Sequence, residues 1–205
     1  MEKQTIQTMW NEKFSREGFL YGTKPNAFLA SQLERLAAGS EILFLGEGEG
    51  RNVCYAAAKG FDATALDASD VGLQKTETMA CELGVSVKTL HTDLEHWESD
   101  GAYDVVMASF LHLTEPLRTK AFREAMRSLR SGGRFIAEFF SIRQLPRDSG
   151  GPKMSDLLYT TDSLRRIFAV GGCEIEMLEE VVDTLDEGVG HQGEADLIRI
   201  IVKRL

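Results

Sequence analysis

The chain has 205 residues and a formal charge of −9, from 23 basic against 32 acidic side chains, a balance that gives nucleic-acid phosphates little to hold and suits a cationic ligand. No apolar run approaches the ~18 residues of a membrane-spanning helix, and the polar start MEKQTIQTMW lacks the apolar stretch of a secretory leader. Cys54, Cys81 and Cys173 are widely spaced and form no CxxC, which fits a reducing compartment better than a disulfide framework. The expectation is a cytoplasmic protein with no membrane or nucleic-acid partner, long enough as one domain to bury roughly 70% of its unfolded surface.

Before residue 41, helical patterns near 5–16 and 26–37 flank EGFLYGTKPN, an aromatic and glycine-rich loop that reads as a lid. From there on helices and short strands alternate. Strands are predicted near 41–46, 62–67, 86–90, 103–109 and 133–140, and helices near 51–59, 70–83, 116–130 and 161–169, a pattern that argues for a largely parallel sheet covered on both faces. The tract RDSGGPKM, Arg147 to Met154, follows the fifth strand with glycine hinges and two cations and reads as a mobile substrate lid. Residues 173–183 and 195–203 then read as two strands joined by the loop TLDEGVGHQGE, a long antiparallel hairpin instead of a βαβ crossover.

The most informative stretch is ILFLGEGEGRN, Ile42 to Asn52, where a buried strand runs straight into a glycine turn that opens a helix. Gly46, Gly48 and Gly50 remove Cβ atoms where the chain turns sharply and where a ligand can approach bare main chain. Arg51 and Asn52 lead into VCYAAAKG, closed by Gly60, and FDATALDAS then forms a strand ending at Asp67. This β-turn-α-β-Asp unit places a carboxylate where it can accept both hydroxyl hydrogens of a ribose. The plainer reading is an ordinary βα turn, with Asp67 and Ser69 serving only the start of the next helix.

With these elements in order, the chain resembles the class I S-adenosylmethionine-dependent methyltransferases, and more narrowly their tellurite-resistance-like branch. The segments that carry the resemblance are YGTKPNAFL, GEGEGRN, TALDAS, TDL, YDVVMASFLHL, LRSGGRFIAEFF, GGPKMSDLLYT and EGVGHQGEA, spread from Tyr21 to Ala195. The resemblance implies a Rossmann-like α/β sandwich whose seven-stranded, mostly parallel sheet ends in an antiparallel C-terminal hairpin. It implies one domain over 1–205, with an N-terminal helical lid region (1–40), a cofactor-binding core (41–140) and a substrate-side loop, helix and hairpin (141–205). It places S-adenosylmethionine on Gly46, Glu47, Gly48, Gly50, Arg51 and Asn52, with Asp67 and Ala68 at the ribose, Asp93 and Leu94 at the adenine, and Ser109 and Phe110 at the methionine end. One departure is Phe44, where many members carry an acid that anchors the cofactor's ammonium; Glu47 or the Ser109 carbonyl is the replacement on offer.

Methyl transfer from a sulfonium is an in-line displacement, so a protein supplies alignment, dryness and control of the nucleophile's proton, and needs no metal. Acceptor-side candidates are His191, His112, Trp10, Tyr21, Glu138 and Phe140. His191, in EGVGHQG, titrates in the range useful to a base or acid, or is an exposed loop histidine. His112, in FLHL, is either catalytic or a half-buried residue bonded to backbone. Metal motifs such as HExxH and CxxC, and a GxSxG hydrolase elbow, are absent from the sequence. The expected partner is a small-molecule acceptor, such as a thiol, a thiopurine or a chalcogen oxyanion, bound by a monomer or weak homodimer. The rivals are a non-catalytic sensor of the same cofactor and a nicotinamide-dependent oxidoreductase, the latter opposed by Arg51 where close helix packing asks for a small residue.

Overall fold

A computed structural model describes residues 5–99, 101–169 and 171–205. Two short helices, α1 (Ile6–Phe14) and α2 (Ala27–Leu33), precede β1 (Glu41–Leu45), α3 (Arg51–Ala58), β2 (Asp62–Asp67), α4 (Asp70–Glu82) and β3 (Lys88–His91). The chain continues through β4 (Tyr103–Ser109), α5 (Glu115–Ser128), β5 (Leu129–Phe140), α6 (Thr161–Phe168), β6 (Cys173–Glu187) and β7 (His191–Arg204). The strands form one seven-stranded sheet in the order β3-β2-β1-β4-β5-β7-β6. Pairings from β3 to β5 are parallel, while β7 runs antiparallel to both β5 and β6. The fold is therefore the expected Rossmann-like sandwich.

Strand alternation sends the residues of β1 into two separate cores. Leu43 and Leu45 pack with Phe122, Phe135 and Phe168 on one face of the sheet. Ile42 and Phe44 pack with Phe28, Val53 and Leu73 on the other. Phe44 is 1% exposed, so the position that departs from the resemblance belongs to the core under α2 and α3 and faces no ligand.

Helix starts follow local chemistry. Asn26 Oδ1 accepts from Leu29 N at 2.9 Å, Ser69 Oγ accepts from Gly72 N at 3.0 Å, and Thr160 and Ser163 form a reciprocal capping box. Helix α3 starts differently. Its cap is Gly50 in the left-handed region (φ 93°), with no side chain to accept, and Glu47 takes over: Glu47 Oε1 accepts from Asn52 N at 2.7 Å and Val53 N at 2.9 Å. A carboxylate thus sits on the positive end of α3.

The structure corrects several boundaries. Strand β5 begins at Leu129, directly after α5, with a register shift opposite Tyr103 and Val105. The hairpin strands pair from Cys173↔Arg204 to Glu187↔His191, so only residues 188–190 are left to turn, and most of the expected loop TLDEGVGHQGE is ladder. Helix α2 is shorter than predicted, ending at Leu33. Among the described residues no helix is long and apolar enough to cross a membrane.

Candidate active site

A cavity of about 510 Å³ opens at the C-terminal ends of β1, β2 and β4, where ligands collect in open α/β sheets. The candidates Gly46, Glu47, Gly48, Arg51, Asp67, Ala68, Asp93, Leu94, Ser109, Phe110, His112, Trp10, Tyr21 and His191 all line it. The candidates Gly50, Asn52, Glu138 and Phe140 do not, and each has a structural occupation instead.

The glycine turn is packed against protein on its Cβ side. A Cβ on Gly46 would lie 2.5 Å from Leu111 Cδ1, and one on Gly48 would lie 2.9 Å from the Phe14 ring, both of which line the same cavity. Gly50 faces away, where a Cβ would meet Thr76 Oγ1 at 2.7 Å, so this glycine lets α3 and α4 approach. Asn52 acts through Glu47: its Nδ2 donates to Glu47 Oε2 and to Ser109 Oγ, each at 3.2 Å. Burial pushes the Glu47 carboxyl up to about 7 against the opposing bonds from Val53 and Asn52.

Asp67 closes the far side of the turn. Its Oδ2 accepts from Gly48 N at 2.8 Å and its Oδ1 from Ser69 N at 2.7 Å, so one carboxylate fixes both the glycine turn and the entry to α4. Burial pushes the Asp67 carboxyl above its ordinary pKa, opposed by these amides. Past β3, Asp93 Oδ1 accepts from Glu95 N at 2.8 Å, and the ligand atoms of Asp93, Glu95 and His96 lie within 4.8 Å of one another, with Glu95 and His96 exposed. No spacing rule for metal ligands flagged this cluster, and exposed acidic groups are often grouped this way without an ion.

The other end of the cavity is aromatic. His191 is 2% exposed, the first residue of β7, and its ring lies 4.4 Å from Tyr21, 4.4 Å from Phe110 and 5.1 Å from Phe140. The exposed-loop alternative for His191 is thereby overturned, because the tight 188–190 turn draws it into the ladder. Phe110 is the only non-glycine residue with positive φ (50°) among those described, a backbone cost of order 1 kcal/mol held where the β4 strand meets the cavity. Burial drives His112 down to about 3, leaving a neutral imidazole whose buried Nδ1 has no partner among the described residues. Burial also lifts the Tyr21 phenol to about 12. Trp10 stacks on Phe14 at 5.2 Å and carries Lys13 Nζ 4.4 Å over its ring.

Phe140 lies behind this wall, 4.6 Å from Phe110. Glu138 lies one pleat farther from the strand's end, bound by Asn26 Nδ2 and Arg199 Nε at 2.6 Å each, and so serves the packing of α2 on β5 and β7. The two expected lids are tied down. Leu20 N donates to Glu49 Oε2 at 2.8 Å, Gly190 N donates to Leu20 O at 3.0 Å, and a Cβ on Gly190 would meet the Tyr21 ring at 2.6 Å. In the other tract Arg147 pairs with Glu194 and Asp196, and Ser149 Oγ donates to Glu194 O at 2.7 Å, while Gly150 to Met154 line the cavity mouth.

Glu187 is the residue that sequence reasoning missed. It is 7% exposed and joins the two halves of the site: Oε2 lies 2.9 Å from Arg51 Nη2 and 3.3 Å from His191 Nδ1, and Oε1 accepts from Asn26 Nδ2 at 3.2 Å. Burial pushes the carboxyl up, but the His191 bond and the Arg51 guanidinium overcome it and hold it below the usual range. Arg51 Nη1 remains buried with no partner among the described residues.

Comparison with known proteins agrees with this architecture. Residues 42–133 match a methyltransferase-domain family. The ubiquinone biosynthesis O-methyltransferase of Rickettsia akari is 31% identical over 110 residues, covering 51% of this chain and 44% of that protein. The chain spans less than half the length of the curated relatives it matches. Magnesium protoporphyrin IX methyltransferase from Synechocystis, solved with bound SAH, superposes with a TM-score of 0.74 at 16% identity, over 98% of each chain. The tellurite-resistance protein TehB from Haemophilus influenzae superposes with a TM-score of 0.71 at 14% identity, over 97% of this chain and 67% of that one. Sheet order, glycine turn and matched domain together define a class I S-adenosylmethionine-dependent methyltransferase fold, with TehB among its structural neighbours.

Proposed function

We propose that the protein transfers a methyl group from S-adenosylmethionine to a small molecule, in one domain whose cavity holds both reactants. The observation that carries this reading is the charge layout of the cavity. Glu47, Asp67 and Asp93 line one end, Arg51 presents a buried Nη1 with no partner among the described residues, and aromatic rings with two histidines line the other. A zwitterionic adenosyl sulfonium matches that layout group by group. Asp67 takes the ribose hydroxyls, Asp93 and Leu94 the adenine edge, Glu47 the ammonium, and Arg51 Nη1 the carboxylate. When bound, the cofactor supplies an electrophilic methyl on a cationic sulfur. The chain supplies Gly46, Ala68 and Ser109 as walls, Phe110, Tyr21 and Trp10 as water-excluding faces, and His191 as the group that receives a proton from the acceptor.

Calorimetry with S-adenosylmethionine and its demethylated product tests the cofactor half. Binding of both, with no heat from nicotinamide dinucleotides, is expected; no heat from either adenosyl compound would end the reading. Transfer of a deuterated methyl to thiols, phenols, thiopurines and oxyanions tests the second half, and tight binding with no product from any acceptor would make the protein a sensor instead.

A further inference from the structure

Around His191 the structure fixes more than a position. Glu187 and His191 face each other across the three-residue turn 188–190, and Oε2 of Glu187 lies 3.3 Å from Nδ1 of the imidazole. The same oxygen accepts from Arg51 Nη2 at 2.9 Å, and Oε1 accepts from Asn26 Nδ2 at 3.2 Å. With a guanidinium and an amide both donating to it, Glu187 is a carboxylate, which can only accept. The hydrogen in the His191 contact therefore belongs to Nδ1. That leaves the lone pair on Nε2, which makes no hydrogen bond among the described residues while the ring lines the cavity. Tyr21 and Phe110, each 4.4 Å away, hold the ring against rotation. The titratable and charged groups around it are Glu187 from β6, Arg51 from α3, Tyr21 from the segment after α1, and His112 from the segment after β4.

We propose that Glu187 is a positioning residue that sets His191 as a neutral Nδ1–H imidazole with a bare Nε2, and that the site therefore takes acceptors bearing a removable X–H hydrogen, such as thiols, phenols or N–H heterocycles. This rests on the methyl-transfer reading above and names its substrate class. The proton would pass from X to Nε2, whose lone pair makes the new N–H bond, while the former X–H electron pair stays on X and bonds the methyl carbon as the carbon–sulfur bond breaks, its electron pair going to the sulfur, which leaves as a neutral thioether. The imidazolium so formed lies against the Glu187 carboxylate, which is already in place and needs no reorganisation. A chalcogen oxyanion arrives without such a hydrogen to surrender at its nucleophilic atom, and gives Nε2 nothing to do.

The test is the nitrogen spectrum of the full chain labelled with ¹⁵N-histidine, which separates protonated from bare ring nitrogens. In the wild type at pH 7, His191 is expected to show a protonated Nδ1 and a bare Nε2, and in Glu187→Gln the Nε2–H form is expected to appear. A wild-type His191 that is Nε2–H, or doubly protonated at pH 7, overturns the proposal whether or not the variant folds; Glu187→Asp, which keeps the acceptor, is expected to retain Nδ1–H. Methylation of selenite with none of dithiothreitol or catechol would overturn the substrate class. Calorimetry of the wild type with the demethylated cofactor separates the two levels: binding with the wrong tautomer sinks this inference alone, and no binding sinks the reading beneath it.

Discussion

Gly50 and Thr76 bring the start of α3 directly against α4. A Cβ on Gly50 would sit 2.7 Å from Thr76 Oγ1 and 2.8 Å from Thr76 Cα, while Thr76 Oγ1 itself donates to Gly48 O at 3.1 Å. The third motif glycine is therefore a packing contact of the fold. Gly50→Ala combines a left-handed φ of 93° with overpacking against backbone. It is expected to destabilise by about 2–4 kcal/mol in urea unfolding. A loss under about 1 kcal/mol would show that α4 can yield.

Asp67 holds the turn and, in the proposed function, the ribose. Asp67→Ala is expected to weaken S-adenosylmethionine binding by more than ~1 kcal/mol in calorimetry, the usual cost of losing a charged hydrogen-bond partner. It also frees the amides of Gly48 and Ser69, so a lower melting temperature without ligand should accompany the weaker binding. Unchanged affinity would remove Asp67 from the ligand site.

The Glu47 carboxyl, lifted from an ordinary 4.5 to about 7, makes stability pH-dependent in a definite direction. The folded state holds the proton more tightly than the unfolded one. The stabilisation is therefore complete below about 4.5 and is lost as pH rises through about 7. Glu47→Gln keeps an acceptor for the amides of Asn52 and Val53. It should gain on the wild type by on the order of 2 kcal/mol between pH 5 and 8, read from denaturant midpoints. Ligand affinity should rise over the same interval in the wild type, as the carboxylate forms to meet an ammonium, and stay flat in the variant.

Arg51 and Glu187 are a buried pair, 7% and 8% exposed at their side chains. Arg51→Met leaves a carboxylate in the interior and is expected to cost about 3–5 kcal/mol. Combining it with Glu187→Gln should recover part of that loss, giving a coupling energy above ~1 kcal/mol in a double-mutant cycle. Additive losses would mean that the two side chains do not meet in solution.

Most of the framework was legible in the sequence because the signals are local. The run ILFL before a glycine turn and the spacing to Asp67 define β1, α3 and β2 without tertiary information. The C-terminal hairpin was recognised but cut short, since Gly188, Gly190 and Gly193 with their acidic neighbours look like loop, whereas pairing continues to Glu187↔His191. That misreading hid Glu187, because its i,i+4 spacing to His191 brings the two side chains together here only if 188–190 is a tight hairpin turn. Glu138 and Phe140 were expected at the acceptor because they lie near the end of β5. Strand alternation puts both on the correct face, but Asn26 and Arg199 claim the first, and Phe110 screens the second from the cavity.

Strand β7 is slotted between β5 and β6, and its first residue supplies the imidazole wall of the cavity. On the ribosome this imposes a schedule. The glycine turn, Asp67 and Asp93 can assemble from residues emerging early, yet the compartment they belong to stays open on one flank until the closing hairpin leaves the exit tunnel. A chain stalled before that point has half a pocket and a raw sheet edge at β5, so chaperone dependence should concentrate in the interval before β7 emerges.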